Sequence, residues 1–287
     1  MSDKKARKTY EFKPTIQFFS RHWNCESLGQ GHLAKYWDQR ASSFNRQKET
    51  PGSAGRRLEL SQKIIDLCGL SPQSRMLDIG CGSGHYSLTF ADKIGRVDGF
   101  DISPSMIEYA RNNARNSILA DKVEFSVLNW SQANLPALGW VGAFDLVLAS
   151  RTPAVCDHQT LVKMMAASKN YCVMMSLANH KSAVRSELKK IITRAEETIR
   201  GNRSAYCAFN LLWLMGCYPE VSYLEQKWDD DLPVDEAAML QFRHFEQGGL
   251  LNKREKELIV RQLEEMAVDG LVHDSVEACI ALLVWKV

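Results

Sequence analysis

Between residues 78 and 84 the chain reads Asp-Ile-Gly-Cys-Gly-Ser-Gly, an acid followed by three alternating glycines. Glycine permits a tight turn and lets a ligand lie directly against the backbone. Gly80, Gly82 and Gly84, with Cys81 between the first two, therefore read as a binding loop. A helix starting just beyond offers free N–H groups to an anionic group such as an amino-acid carboxylate. Asp78 suits the cationic end of such a ligand and sits poorly beside a pyrophosphate. Asp101 follows about 20 residues later, where an acid at a strand end accepts hydrogen bonds from ribose hydroxyls. Asn129 ends a third apolar run; its amide suits an adenine amino group, and Trp130 suits stacking on the ring. Singly these signals are weak, since most acids after a strand are helix caps and most tryptophans are core. In order at successive strand ends they form a strong set.

Other ligand classes fit less well. In the dinucleotide fingerprint G-x-G-x-x-G the third glycine would fall at His85, and no G-x-x-x-x-G-K-[ST] phosphate loop is present. The eight cysteines are scattered singly with no C-x-x-C pair, which indicates neither a zinc site nor a disulfide framework and leaves reduced thiols as the expectation. No metal site is expected; Asp157 beside His158 reads as a helix cap. His85, just past the loop, and Tyr206, among the aromatics Phe209, Trp213 and Tyr218, are the weak candidates for a catalytic role. The three consecutive acids Asp229 to Asp231 read as a solvated turn.

The elements that position these residues alternate. Arg75 to Ile79, Arg96 to Asp101, Val123 to Leu128, Phe144 to Ala149 and Tyr171 to Leu177 read as strands. Tyr86 to Ile94, Ser103 to about Asn116 and Thr160 to Ser168 read as helices, the second with Ser103 as N-cap and Pro104 in its first turn. Strand and helix in alternation predict a doubly wound α/β fold, Rossmann-like, with a seven-stranded, mostly parallel sheet and helical cap insertions. Beyond Ala178 the pattern gives a charged helix over 181–200, an aromatic-rich stretch over 205–217, a strand over 219–228, helices over 232–247 and 253–268, and a closing strand over 276–287. The predicted division is an N-terminal tail and helical lid over 1–57 and one domain over 58–287, with cap insertions at about 179–218 and 232–270.

Bulk composition agrees with an ordinary globular chain: 45% hydrophobic and 24% charged residues among 287. With 36 basic against 34 acidic residues the net charge is +2, which disfavours a nucleic-acid partner. Lys4, Lys5, Arg7 and Lys8 read as a solvated tail with no apolar segment after them. No stretch approaches the ~20 apolar residues of a membrane span. A cytoplasmic location is the expectation; the oligomeric state is not read.

The stretch from about Arg75 to Leu177 resembles the class I methyltransferases, especially their small-molecule branch that includes quinone-biosynthesis enzymes. Leu77-Asp-Ile-Gly-Cys-Gly-Ser-Gly84 is similar to that family's first motif, Gly99 to Ile107 to its second, and Phe144-Asp-Leu-Val-Leu148 to its fourth-strand motif. Tyr36 to Phe44 is similar to the helix that closes over the methionine end of the cofactor. The resemblance implies S-adenosyl-L-methionine as cofactor, S-adenosyl-L-homocysteine as product and a small-molecule acceptor. It implies Gly80, Gly82 and Gly84 under the methionine moiety, Asp78 near its ammonium, Asp101 on the ribose, and Ile102 and Met106 around the adenine. Cys81, Trp130 and Ser150 join these as cofactor-side residues, and Tyr36 is expected at the cofactor carboxylate. Asn129 stands where the family more often has aspartate. Ser150 to Pro153 faces the acceptor, and lacks both the Asn/Asp-Pro-Pro-Tyr/Phe of amino-methylating enzymes and the Pro-Cys of the cytosine-C5 class. The rivals are an RNA or protein methyltransferase and a non-catalytic regulator that binds the same cofactor.

Overall fold

Five short runs form the parallel part of the sheet: β1 (Arg75–Ile79), β2 (Arg96–Asp101), β4 (Phe144–Ser150) and the start of β5 (Ser168–Ser182), all mostly buried, and β3 (Val123–Val127), a half-exposed edge strand that buries Phe125. Near-continuous apolar strands require cover on both faces, and parallel pairing with crossover helices supplies it. The computed structural model, which describes residues 15–23, 30–49, 51–192, 203–246 and 250–287, has this arrangement. The order is β3-β2-β1-β4-β5-β7-β6, with β6 (Glu220–Pro233) and β7 (Leu271–Lys286) completing seven strands. β1 to β5 pair in parallel; β7 runs antiparallel to both β5 and β6. The chain thus has the doubly wound α/β sheet expected from its alternation.

Each sheet face has its own core. One gathers Phe100, Trp130, Phe144 and Leu161 with the helix α9 (Arg203–Leu214). The other gathers Met76, Phe90 and Leu146 with Leu60 and Ile64 of α3 (Pro51–Cys68). Each such side chain contributes ~1.5–3 kcal/mol by leaving water, so the sheet is held from both sides.

The antiparallel half extends beyond this sandwich. The 15, 14 and 16 residues of β5, β6 and β7 reach past the parallel strands. Their far ends carry α8 (Ala183–Ile191), α10 (Val234–Phe245) and α11 (Lys253–Met266) around a third core of Val184, Leu188, Phe245, Ile259, Leu263 and Val272. The helix expected over 181–200 starts at Ala183, because Lys181 and Ser182 still pair with Glu277 and Val276 of β7; 193–200 lies outside the described residues. The acids Asp229 to Asp231 are not a turn. They continue β6, paired with Ser275, Asp274 and His273, and Asp231 Oδ1 lies 2.9 Å from His273 Nδ1. The N-terminal run Lys4 to Lys8 and the break at 248–249 also lie outside the described residues. No helix among the described residues is long and apolar enough to cross a membrane.

Before the sheet come α1 (Ile16–His22) and α2 (Gln30–Glu49). α2 is tied to the start of α5 (Pro104–Arg115) by Asp38, whose Oδ1 accepts from Ser103 Oγ at 2.5 Å and from the Ser105 amide at 3.0 Å. α10 reaches the same helix: the Arg243 guanidinium lies 4.2 Å from the centre of the Tyr36 ring. N-terminal helix and C-terminal cap therefore meet over the carboxyl ends of the parallel strands, where open α/β sheets bind ligands.

Candidate functional site

The loop after β1 is shaped by glycines that no other residue replaces without cost. Gly80 has φ +66°, and a Cβ there would stand 2.1 Å from Thr152 Oγ1. Gly82 has φ +55°, and a Cβ there would stand 3.0 Å from the Phe44 ring of α2. Both are left-handed conformations that L side chains rarely adopt. The loop ends at Gly84, the N-cap of α4 (His85–Ala91), with φ 79°. Close approach by Thr152 from one side and Phe44 from the other leaves the loop backbone as the floor of a cavity of about 870 Å³.

Two buried acids stand on this floor. Asp78 accepts a 2.6 Å hydrogen bond from Ser87 Oγ. Burial pushes its carboxyl up to about 7, Ser87 opposes this, and the nearby Asp101 carboxylate adds to it. Asp101, at the end of β2, accepts from the Gly82 amide at 3.0 Å and from the Ser103 amide at 2.9 Å. Burial raises its carboxyl as well, while these backbone donors hold it back. The second acid thus grips the glycine loop. Between them the Cys81 thiol is pushed well above its usual range by burial and by both carboxylates, which leaves it protonated and a poor nucleophile. Ser83 Oγ is buried on the loop without a hydrogen-bond partner among the described residues, and an unpartnered buried hydroxyl is costly unless a ligand satisfies it.

The expected residues come together to a large extent. Asp78, Gly80, Cys81, Gly82, Asp101 and Ser150 line this one cavity, and Ile102, Met106, Asn129 and Trp130 continue its wall. Asn129 also caps a short turn, its Oδ1 accepting from the Ser131 amide at 3.1 Å. Trp130 is 2% exposed. Its ring stacks on Phe100 with centroids 5.4 Å apart, and its N–H donates to the Thr160 carbonyl at 3.1 Å. The tryptophan is therefore core that also forms cavity wall. Gly84 and Tyr36 do not line the cavity: Gly84 is packed under Phe125 and Ala110, and Tyr36 sits beneath Arg243, which does line it. Tyr206 does not line the cavity; it is 60% exposed and packs edge-on against Phe19, next to the lining residue Ser20.

His85 belongs to the cavity. Its Nε2 lies 3.0 Å from Asn45 Oδ1 of α2, an acceptor, which assigns the ring proton to Nε2. Burial first, then Arg57 and Lys48, push its pKa down to about 4. Asp157 caps α7 (His158–Ala167) in a capping box with Thr160, as its position before an apolar helix suggests. Cys156 departs from expectation. It is disulfide-bonded, because pairing follows spatial approach and not spacing along the chain, while six other described cysteines are in no disulfide.

Sequence reasoning missed a second set altogether. Lys48, Arg57, Arg151 and Arg243 all line the cavity, yet they come from α2, α3, the end of β4 and α10. No spacing rule connects them. The one local clue was Arg151, in the segment already expected to face the acceptor.

Residues 70–232 match a family model described as a methyltransferase domain. The chain is 33% identical over 98 residues to malonyl-[acyl-carrier protein] O-methyltransferase of Acetivibrio thermocellus, covering 33% of this chain and 31% of that protein. It is 30% identical over 131 residues to aklanonic acid methyltransferase DauC of a Streptomyces species, covering 44% and 54%. It is 35% identical over 121 residues to the 23S rRNA (uracil(1939)-C(5))-methyltransferase RlmD of Shewanella sediminis, covering 41% and 27%. The chain thus spans between about a quarter and just over half the length of these relatives. Among solved structures, geranyl diphosphate C-methyltransferase from Streptomyces coelicolor A3(2) aligns over 90% of this chain and 97% of that one, at 14% identity and a TM-score of 0.47. With a family model matched over more than half its length, the chain belongs to the methyltransferase-domain family, the class I S-adenosylmethionine-dependent methyltransferases.

Proposed function

We propose that the chain transfers the methyl group of S-adenosylmethionine to a small-molecule acceptor held in the same cavity. The observation that carries this reading is the meeting of Asp78, Asp101 and the Gly80–Gly82 loop on the floor of one cavity, with the unpartnered Ser83 hydroxyl among them. Its volume of about 870 Å³ lies within the ~300–1,000 Å³ of small-molecule sites.

Asp101 would hold the ribose while its existing bonds to the Gly82 and Ser103 amides fix its carboxylate in place. Asp78 would face the cofactor's ammonium, and Ile102 and Met106 would flank the adenine. Bound there, S-adenosylmethionine supplies a methyl group on a positively charged sulfur, already an electrophile. What the chain must add is alignment of the acceptor and exclusion of water. α2 and α10 serve this by closing over the strand ends through the Arg243–Tyr36 contact. His85 is neutral at pH 7, but a pKa of about 4 makes it a weak base, so it is assigned to positioning and not to proton removal.

The near-neutral charge balance supports a small-molecule acceptor over RNA, and a cytoplasmic location belongs to the same proposal. Isothermal titration with S-adenosylmethionine, S-adenosylhomocysteine and NAD, with Asp101→Ala in parallel, tests the cofactor. The expected result is binding of both adenosyl ligands, none of NAD, and roughly 10–100-fold weaker binding in the variant. Absence of adenosyl-ligand binding would overturn the reading.

A further inference from the structure

Lys48, Arg57 and Arg151 line the cavity together with His85 and Tyr86. Arg57 is fixed in place: its Nη1 donates to the Lys48 carbonyl at 3.2 Å and its Nε to Thr89 Oγ1 at 3.1 Å. The Lys48 ammonium lies 4.9 Å from the centre of the Phe44 ring, the same ring that abuts Gly82, so the charge stands beside the glycine loop. Arg151 follows β4 directly with φ 50°, a left-handed conformation for a non-glycine residue. Its amide is anchored on the Met175 carbonyl at 2.8 Å. Backbone strain of this kind concentrates where a side chain must be aimed at a ligand.

Among the described residues none of the three cations forms an ion pair with a carboxylate. Asp230 is the acid that acts on Lys48, but its two oxygens already accept from Gln47 Nε2 and Trp228 Nε1, both at 3.0 Å. Burial, then Arg151, Arg57 and Arg56, bring the Lys48 ammonium down to about 7, and Asp230 only partly offsets them. The cofactor does not supply what is missing. Its carboxylate is outweighed by an ammonium and a sulfonium, so it enters with a net positive charge. The cavity also has an apolar lining of Leu33, Trp37, Phe44 and Pro153, with the Phe44 ring against the Lys48 ammonium.

We propose that Lys48, Arg57 and Arg151 form an anion subsite that holds the carboxylate or phosphate group of a methyl acceptor whose remaining body is apolar. This rests on reading the floor of the cavity as the S-adenosylmethionine site. It also places the anionic group beside the loop, away from bulk water, where charge-assisted bonds to guanidinium are strongest.

The test titrates inorganic pyrophosphate, and separately octanoate, into protein saturated with S-adenosylhomocysteine. Arg151→Gln, Lys48→Gln and the charge-preserving Arg151→Lys are run in parallel, each checked for folding by circular dichroism. One probe is expected to bind, and which one distinguishes a phosphate from a carboxylate. Either neutral variant should weaken it about tenfold or more, Arg151→Lys should retain most of the affinity, and S-adenosylhomocysteine affinity should stay within about twofold throughout. Binding of S-adenosylhomocysteine with no binding of either probe would overturn the subsite alone. Loss of S-adenosylhomocysteine affinity in the neutral variants would assign the cations to the cofactor carboxylate instead. Displacement of the probe by a short single-stranded RNA would replace the small acceptor with a nucleic acid. Failure of the wild-type protein to bind S-adenosylhomocysteine would overturn the parent reading and this one with it.

Discussion

The floor and the cationic wall of the cavity are built in opposite ways. The floor is local and acidic: Asp78, the glycine loop and Asp101 lie within 24 consecutive residues, at the ends of two adjacent strands held in register. Backbone amides fix the Asp101 carboxylate, and the Ser87 hydroxyl fixes that of Asp78. The cationic wall is assembled from afar, with Lys48 on α2, Arg57 on α3 and Arg151 after β4. Local construction suits a ligand that is the same across a family, because the turn that forms the site is also the turn that ends the strand. Distant assembly suits a part that varies, since each contributing helix can change its residue without disturbing the sheet.

Substitution at Gly80 should break this contrast most severely. Gly80→Val forces a β-branched residue into φ +66° with a Cβ 2.1 Å from Thr152 Oγ1. The strain and overlap should cost about 2–4 kcal/mol of stability in urea denaturation and abolish adenosyl-ligand binding. The effect should also reach the cationic wall, because Thr152 adjoins Arg151. Unchanged binding in Gly80→Val would remove the loop from the site.

A smaller effect sharpens the contrast through pH. Asp78 is held at about 7 in the folded chain, against an ordinary value near ~3.9. Its contribution to stability is full below about pH 4 and is lost as pH rises through about 7. Lys48 is depressed to about 7 from an ordinary ~10.4; its contribution is full above about pH 10 and is lost as pH falls through about 7. Ligands then pull in opposite directions. A cationic ligand at Asp78 favours the ionised carboxyl and releases a proton, so S-adenosylmethionine should bind tighter from about pH 6 to about pH 8. An anion at Lys48 favours the ammonium, so pyrophosphate or octanoate should bind more weakly over the same range. Each change should be up to about tenfold. Titrations of each ligand at about pH 6, 7 and 8 check this, and Asp78→Asn should flatten only the first profile. Parallel pH profiles for the two ligands would contradict the division into two walls.

The same contrast explains what the sequence made legible. The bounds of β1 and β2 match their expected residues, Arg75 to Ile79 and Arg96 to Asp101, because buried apolar runs end abruptly in glycines or an acid. Lys181 and Ser182 were expected in a helix, yet they end β5. Their polar side chains carry no strand signal, and pairing with β7 decides their state. Asp229 to Asp231 hid in the same way, since three identical charges mask any alternation while pairing continues opposite Ser275 to His273. On the floor of the cavity nearly every expected residue is present, because strand ends place them. Gly84 supports the loop from behind and Tyr36 supports Arg243, so each is one layer away from the cavity. Lys48, Arg57 and Arg243 carried no signal because each sits in a charged helical stretch where a cation is unremarked.

The most direct test of the two-walled cavity is a crystal structure of the protein with S-adenosylhomocysteine and whichever anionic probe binds. The expected result has the ribose hydroxyls within hydrogen-bond distance of Asp101, the amino group toward Asp78, and the anion against Arg57 and Arg151 on the far side of the ligand's sulfur. A ligand whose carboxylate occupies the Lys48, Arg57 and Arg151 cluster, or whose ribose lies away from Asp101, would contradict it.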